Sequence, residues 1–358
     1  SEADAVEILK SINCERNKFQ SRADRAELHP ASAPRAPVRL PAEFEPVGAV
    51  LLSFPVYYPG CWKTYADFIR QIITEASAFI LVPNEHWHKA VQLYLESRGI
   101  GLDQTRFFHF PTEDVWIRDY GPTTAYSGDE EMPVFIWNPY YIADQGYYKF
   151  DANAAANLAM ALGIPIYSLP LVVEGGNLIT DGRGTIIMSE SVFEMNPDLD
   201  RRKIEQIMAD YFGCQNLISF PRLKGEITGH IDLVVKFVDE NTLMVASASA
   251  GHKWHKDFEA IAHQLSRMKS INGDFYRILR TPIPKSSKFS HKFWSYVNSL
   301  TLNQKVILPI FNAPEDAQAQ EIYRAGMPGH KIVGIDFSRF PVGSVHCQSK
   351  EIPRKVLA

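Results

Sequence analysis

Apolar residues recur at three- and four-residue spacing in six stretches: Trp62 to Phe79, His86 to Arg98, Asp151 to Leu162, Asp198 to Phe212, Lys253 to Lys269 and Glu315 to Ala325. That spacing lines one face of an α-helix, so it predicts six amphipathic helices. Short apolar runs follow most of them, namely "FILVP", "RFFHF", "IPIYSL", "LISF", "FYRIL" and "KIVGIDF". These runs are short enough, and rich enough in β-branched and aromatic side chains, to predict strands. Hairpins come next in the pattern. "GNLITDGRGTIIM" turns at Asp181-Gly182, "HIDLVVKFVDENTLMVA" at Asp239 to Asn241, and "NSLTLNQKVILPIF" near Asn303.

The second strand of each unit starts beside a polar residue or a thiol: Asp119, Asn177, Asp232, Asn298 and Cys347, separated by 58, 55, 66 and 49 residues. An ordinary α/β chain also alternates helices and strands. A recurring order at a nearly fixed period instead predicts a closed pseudo-symmetric ring of about five ββαβ-like units, with these stations converging on its axis. Such a ring would bring a thiol, two carboxylates and an imidazole together across more than two hundred residues of sequence. Ahead of it, residues 1–45 read as a short helix (Ala3 to Phe19) and the start of an extended arm, "HPASAPRAPVRLPAEFEP", with residues 46–358 as one domain.

Composition narrows the class. A chain of 358 residues, 46% hydrophobic and 22% charged, can bury a large core, which excludes disorder and collagen-like structure. Its net charge of -4 and scattered Lys and Arg give no surface for neutralising phosphates, so nucleic acid is not an expected partner. No apolar run approaches the roughly 18 residues of a membrane span, so no membrane partner is expected either. "SEADAVEILK" is too polar for a signal peptide, although a chain that starts at Ser1 leaves a cleaved leader open. Four cysteines are too few for a disulfide scaffold and suggest a reducing, cytoplasmic setting. The proline-rich arm could pack on its own ring or on a neighbour in a homo-oligomer.

Each motif is ambiguous alone. Asp119 in "EDVWIRDYGP" could cap a turn or pair with Arg118, or it could face a planar cation between the flat walls of Trp116 and Tyr120. In "EGGN", Gly175 and Gly176 permit a close backbone approach or positive φ between Glu174 and Asn177, and a plain β-bulge is the simpler account. His230 and Asp232 in "TGHIDLVVKF" would share one face of a strand. A closed zinc site would need further ligands, and His86/His88 and His252/His255 read as solvated surface histidines, so no metal is expected. In "SVHC", a strand would put His346 and Cys347 on opposite faces, and a lone cysteine is more often an inert core residue than a nucleophile. Combined with His230, Cys347 becomes a thiol with an acid/base partner. Two facing carboxylates then need a cation between them, and a guanidinium suits both by charge and by its fork of N–H donors.

Together "WIRDYGP", "EGGNLITDGRGT", "GHIDLVVKFVDENT", "SYVNSLTLN" and "SVHC" resemble the agmatine deiminase and bacterial peptidylarginine deiminase family of the guanidino-modifying pentein superfamily, over roughly 300 residues from about Val47. The resemblance implies a five-bladed α/β propeller. It also implies that Asp119 and Asp232 hold the guanidinium, that His230 is the general acid and base, and that Cys347 is the nucleophile. Asn298 would support the thiol or intermediate, while Trp116, Glu174, Gly176 and Asn177 would shape the pocket. The implied reaction passes through a covalent thiouronium to a ureido product and ammonia, with no cofactor. Family members that act on peptides grip the terminal carboxylate with a pair of arginines, whereas "FIWNPYYIADQ" here has none. That points to a small guanidino substrate such as agmatine, whose ammonium Glu113, Asp114 and the tyrosines at 140, 141, 147 and 148 could receive. Free arginine or an arginine-containing peptide, transfer of the amidino group to an amine, and a non-enzymatic scaffold are the competing readings.

Overall fold

The computed structural model describes residues 32–138, 148–285, 293–340 and 343–357. The expected N-terminal helix, Cys14 and the tyrosines at 140, 141 and 147 lie outside these residues. Five small sheets make up the domain. In each, a first strand runs antiparallel to a second, and the second pairs in parallel with a third across a helix. One unit shows the pattern. Thr123–Ser127 pairs antiparallel with Met132–Trp137, helix Lys149–Leu162 crosses over, and Ile166–Ser168 returns in parallel. The units that begin at Ile179–Thr180, Val235–Asp239 and Leu300–Leu302 repeat it, with crossover helices Arg201–Phe212, His255–Ser266 and Asp316–Gly326.

The fifth sheet closes the ring. Its first strand, Lys350–Pro353, comes from the C-terminal end and pairs antiparallel with Val47–Ser53, with Lys350 opposite Leu51. Ser77–Val82 and Thr105–His109 then extend it in parallel, through helices Trp62–Ile72 and Glu85–Ser97. Asn303 clasps this sheet to its neighbour: its amide donates to the Val47 and Glu75 carbonyls at 3.2 and 2.9 Å and accepts from Val47 N–H at 3.0 Å. The five-bladed α/β propeller is therefore the architecture, as the repeat predicted.

Helix boundaries follow local chemistry. The expected helix from Trp62 stops at Ile72, because "SAFILV" forms a central strand paired on both edges and fully committed to backbone bonds. Arg201–Phe212 starts where Asp200 accepts from Lys203 N–H at 2.7 Å, and it ends at Gly213 in the left-handed region. The helices bury their apolar faces between blades. Phe68 of the first helix meets Phe337 edge-on at 5.9 Å, a contact that seals the fifth blade to the fourth. The arm lies on the ring as well: Val38–Arg39 adds an antiparallel edge to Thr123–Ser127.

Two helix-terminal glycines separate two costs. Gly213 (φ +67) packs against the Val38 carbonyl, which a methyl group would overlap, whereas Gly163 (φ +69) has open space around it. Gly163→Ala is expected to lose about 1 kcal/mol from backbone strain alone. Gly213→Ala is expected to lose about 2–4 kcal/mol. Urea unfolding of both variants checks the difference, and equal losses would contradict this packing of the arm.

Candidate active site

All five stations sit in turns just before the first strand of a blade. Asp119 lies in the helical turn Ile117–Tyr120, Asn177 in the 3₁₀ turn Gly175–Asn177, Asp232 in the 3₁₀ turn Ile231–Leu233, and Asn298 and Cys347 in turns ahead of Leu300 and Lys350. The sequence reading put His230 and Asp232 on a strand and His346 and Cys347 on a strand end. Both segments are turns, and the side chains point accordingly. With three residues per 3₁₀ turn, positions two apart diverge instead of sharing a face. His230 turns towards Asp119 and Glu174, and Asp232 turns towards Asn298 and Cys347. His346 and Cys347 both reach the same oxygen of Asp232, at 2.7 and 3.8 Å.

Gly175 and Gly176 allow this assembly by close approach, without positive φ and without a bulge. A Cβ on Gly175 would overlap the Arg118 carbonyl, and one on Gly176 would stand 2.5 Å from His230 Nδ1 and 2.9 Å from Asp119 Oδ1. Gly176 N–H donates to Asp119 Oδ1 at 3.0 Å. Arg118 leaves Asp119 free: it pairs with Glu351 at 2.8 Å and donates to the His346 carbonyl at 3.1 Å. Trp116 packs beside the Cys347 segment, since a Cβ on Gly343 would lie 2.5 Å from its ring and 3.1 Å from Cys347 Cβ. Tyr120 is not the second wall. It is buried in an apolar cluster with Ile117 and Phe135 and donates to the Asp114 carbonyl at 2.9 Å.

His230 Nε2 is 2.6 Å from Glu174 Oε2, and Nδ1 is 3.6 Å from Asp119 Oδ1. An imidazole with a carboxylate at each nitrogen is best satisfied as the doubly protonated ring. Burial pulls its pKa down, but Asp119 and Glu174 outweigh that and raise it to about 10. Burial lifts Asp119, with Glu174 and Asp232 adding repulsion against the pull of His230, so its pKa rises to about 6. Burial pushes the Cys347 thiol well above the ordinary thiol range, and Asp232 and Asp119 push it further. One oxygen of Asp232, Oδ2, accepts from Asn298 Nδ2 at 3.0 Å and faces His346. The other, Oδ1, is buried and has no hydrogen-bond partner among the described residues.

Several contributors carried no sequence signal. Glu43, in the arm, pairs with both His346 and Lys236. His346 thus bridges Glu43 and Asp232, and Lys236 also donates to the Ser299 carbonyl at 3.1 Å. Ser344 Oγ donates to Asn298 Oδ1 at 2.8 Å, and Cys347 N–H donates to the same oxygen at 3.3 Å, so Asn298 fixes the Cys347 turn as well as Asp232. Asn177 is engaged elsewhere: it accepts from Ser189 N–H at 2.7 Å and donates to the Ser189 carbonyl and Ser191 Oγ. Glu113 and Asp114 lie close enough for the Asp114 carboxyl to feel the charge of Asp119. Glu113 accepts from Phe150 and Asp151 N–H at the start of helix Lys149–Leu162. Asp114 is raised to about 7 by burial, with Asp119, Glu113 and Glu174 adding repulsion. Cys61, Cys214 and Cys347 are all free thiols.

The chain is similar to known proteins over most of its length. A relative from Selenomonas ruminantium named "Putative agmatine deiminase" is 28% identical, over 88% of this chain and 95% of its own length. An agmatine deiminase of Enterococcus faecalis superposes with a TM-score of 0.81 at 19% identity, covering 92% of this chain and 100% of that one. A C. jejuni agmatine deiminase crystallised with substrate bound superposes at 0.75 and 19% identity, over 88% of this chain and 96% of that one. The model of the Porphyromonas-type peptidyl-arginine deiminase family matches residues 39–353, and the chain belongs to that family.

Proposed function

We propose that this protein is a cysteine-dependent deiminase that hydrolyses a small guanidino compound, agmatine, to N-carbamoylputrescine and ammonia. The observation that carries the reading is Asp232 Oδ1, a buried carboxylate oxygen with no hydrogen-bond partner among the described residues, on a side chain whose Oδ2 lies 3.8 Å from Cys347 Sγ and whose charge acts on Asp119. A guanidinium held between Asp119 and Asp232 would give that oxygen its donor and set the guanidinium carbon at the thiol. The cation also offsets the two carboxylates that raise the thiol's pKa, so the substrate itself favours the thiolate.

The thiolate of Cys347 attacks the guanidinium carbon to give a tetrahedral adduct. His230, held protonated by Asp119 and Glu174, delivers its proton to the departing nitrogen, and the C–N bond breaks to release ammonia and leave a thiouronium. The same imidazole, now neutral, takes a proton from water as its oxygen attacks the thiouronium carbon. The C–S bond then breaks, returning the thiolate, while the adduct's hydroxyl proton passes to solvent and the neutral ureido product forms. Asn298 holds Asp232 and the Cys347 turn in register, and Trp116 and Gly176 form the walls. Asn177 acts through its hairpin, not on the substrate.

Agmatine, in preference to a peptide, is favoured by the carboxyl groups whose charge reaches Asp119. Glu113, Asp114 and Asp151 form a carboxyl cluster in which burial and mutual repulsion raise Asp114 to about 7 and Asp151 to about 10. A distal ammonium would relieve that repulsion, whereas a peptide's terminal carboxylate would add to it. The relatives named agmatine deiminases point the same way.

Ammonia release from agmatine, free arginine and arginine peptides tests the reading. Agmatine is expected to give the highest kcat/KM, and Cys347→Ala to lose at least about 10³-fold. No turnover of any member, or an active Cys347→Ala, overturns it. The pH profile has defined limbs. Asp119 must be ionised to bind the cation, so kcat/KM rises through about pH 6. His230 must be protonated to expel ammonia, so kcat/KM falls as pH passes about 10. A profile rising only above the thiol range would show that substrate does not assist ionisation of Cys347. Asp114→Asn is expected to raise KM for agmatine about tenfold with kcat nearly unchanged. An alkylguanidine without the ammonium should be unaffected, and an equal loss for both would remove Asp114 from recognition.

A further inference from the structure

Away from the thiol, on the outer edge of the fifth blade, three side chains from two elements converge. Glu85 and His88 lie in the first turn of helix Glu85–Ser97, one helical turn apart, and His109 ends the edge strand Thr105–His109. His88 Nδ1 stands 3.0 Å from His109 Nε2 and 3.7 Å from Glu85 Oε2, and His109 Nε2 is 3.5 Å from the same oxygen. An ion held tetrahedrally at about 2.0–2.1 Å places its donor atoms about 3.3–3.4 Å apart, so this triangle has the size of one tetrahedral face.

We infer that Glu85, His88 and His109 form a divalent transition-metal site with water in the fourth position. Two imidazole nitrogens and one carboxylate oxygen suit Zn²⁺, Co²⁺ or Ni²⁺ and do not suit Mg²⁺ or Ca²⁺, which demand more oxygen donors. The ligands are held before the ion arrives. Asn84 accepts from His86 and Trp87 N–H at 3.0 and 3.1 Å, fixing the first helical turn. The His88 ring stacks on Phe107 at 4.1 Å between centroids. Glu85 and His109 are both reached by solvent, which gives the ion a path.

A second group of ligand-type side chains, Glu43, His346 and Glu351, carries nothing similar. Its carboxylates already face Lys236 and Arg118, whose charges repel a metal ion. The Glu85 site has no such cation in its ion pairs. A metal there would tie the helix start to the outermost strand of a sheet edge, and its binding energy would add to stability. It shares no residue with the thiol site, so its role is independent of the proposed hydrolysis.

The test uses the full chain after chelator treatment, titrated with Zn²⁺ by calorimetry and with Co²⁺ by visible absorption. One equivalent is expected to bind, raising Tm by about 3–5 °C at saturation. His88→Ala or His109→Ala should weaken affinity at least about tenfold and cancel the Tm rise. Glu85→Gln, at an exposed position, reads the same loss where a histidine variant folds poorly. Co²⁺ should show nitrogen and oxygen ligand-field bands without thiolate charge transfer. No saturable binding, binding unchanged in all three variants, or a thiolate band assigning the metal to a cysteine would overturn the inference.

Discussion

Buried carboxylates that face one another are the constraint around which the centre of this ring is organised. Asp119, Glu174, Asp232 and Glu43 meet His230, His346 and Lys236, with Arg118 and Lys350 also acting on them. A buried charge without a partner costs several kcal/mol, so such a cluster persists only if the fold fixes its members against one another. The two imidazoles divide the work. His346 lies between Glu43 and Asp232, while His230 lies between Asp119 and Glu174, where the proposed reaction would use it.

The ring supplies the fixing. No stretch of sequence holds two of these carboxylates next to each other, and each arrives on a separate blade or on the arm. Their turns interlock through backbone groups: Gly176 N–H meets Asp119, Arg118 N–H meets the Cys347 carbonyl at 3.2 Å, and His346 N–H meets the Asn298 carbonyl at 3.2 Å. Errors in one blade therefore propagate to the thiol through short, directional bonds. Closure by Lys350–Pro353 matters for the same reason, because the strand that seals the propeller begins just after Cys347. Fold closure and placement of the Cys347 thiol are one event.

The repeated order of elements was legible because apolar periodicity survives loop insertion, and it identified the five turns that carry the stations. The local geometry of those turns was not legible. "HID" and "VHC" alternate as strands do, yet three-residue turns need no periodicity of their own and are fixed by contacts from other blades. Glu43 was invisible for a similar reason. It sits in a stretch whose prolines mark only an extended chain, and its importance comes from meeting His346 and Lys236 some two hundred to three hundred residues away. The surface reading of His88 missed a partner on the next strand, since nothing in a helix pattern announces His109.

A thiol pushed up by its surroundings looks at first like a poor nucleophile. The same carboxylates that raise it are those that a guanidinium would neutralise, so one arrangement both suppresses the free thiolate and calls it up when the correct cation is bound. A neutral electrophile that enters the site meets a protonated, weakly reactive sulfur. A planar cation in the site would change the field at Cys347. Selectivity and activation then share a single electrostatic cause, and the ring's task is to keep Asp119 and Asp232 far enough apart for the cation and close enough to feel its loss.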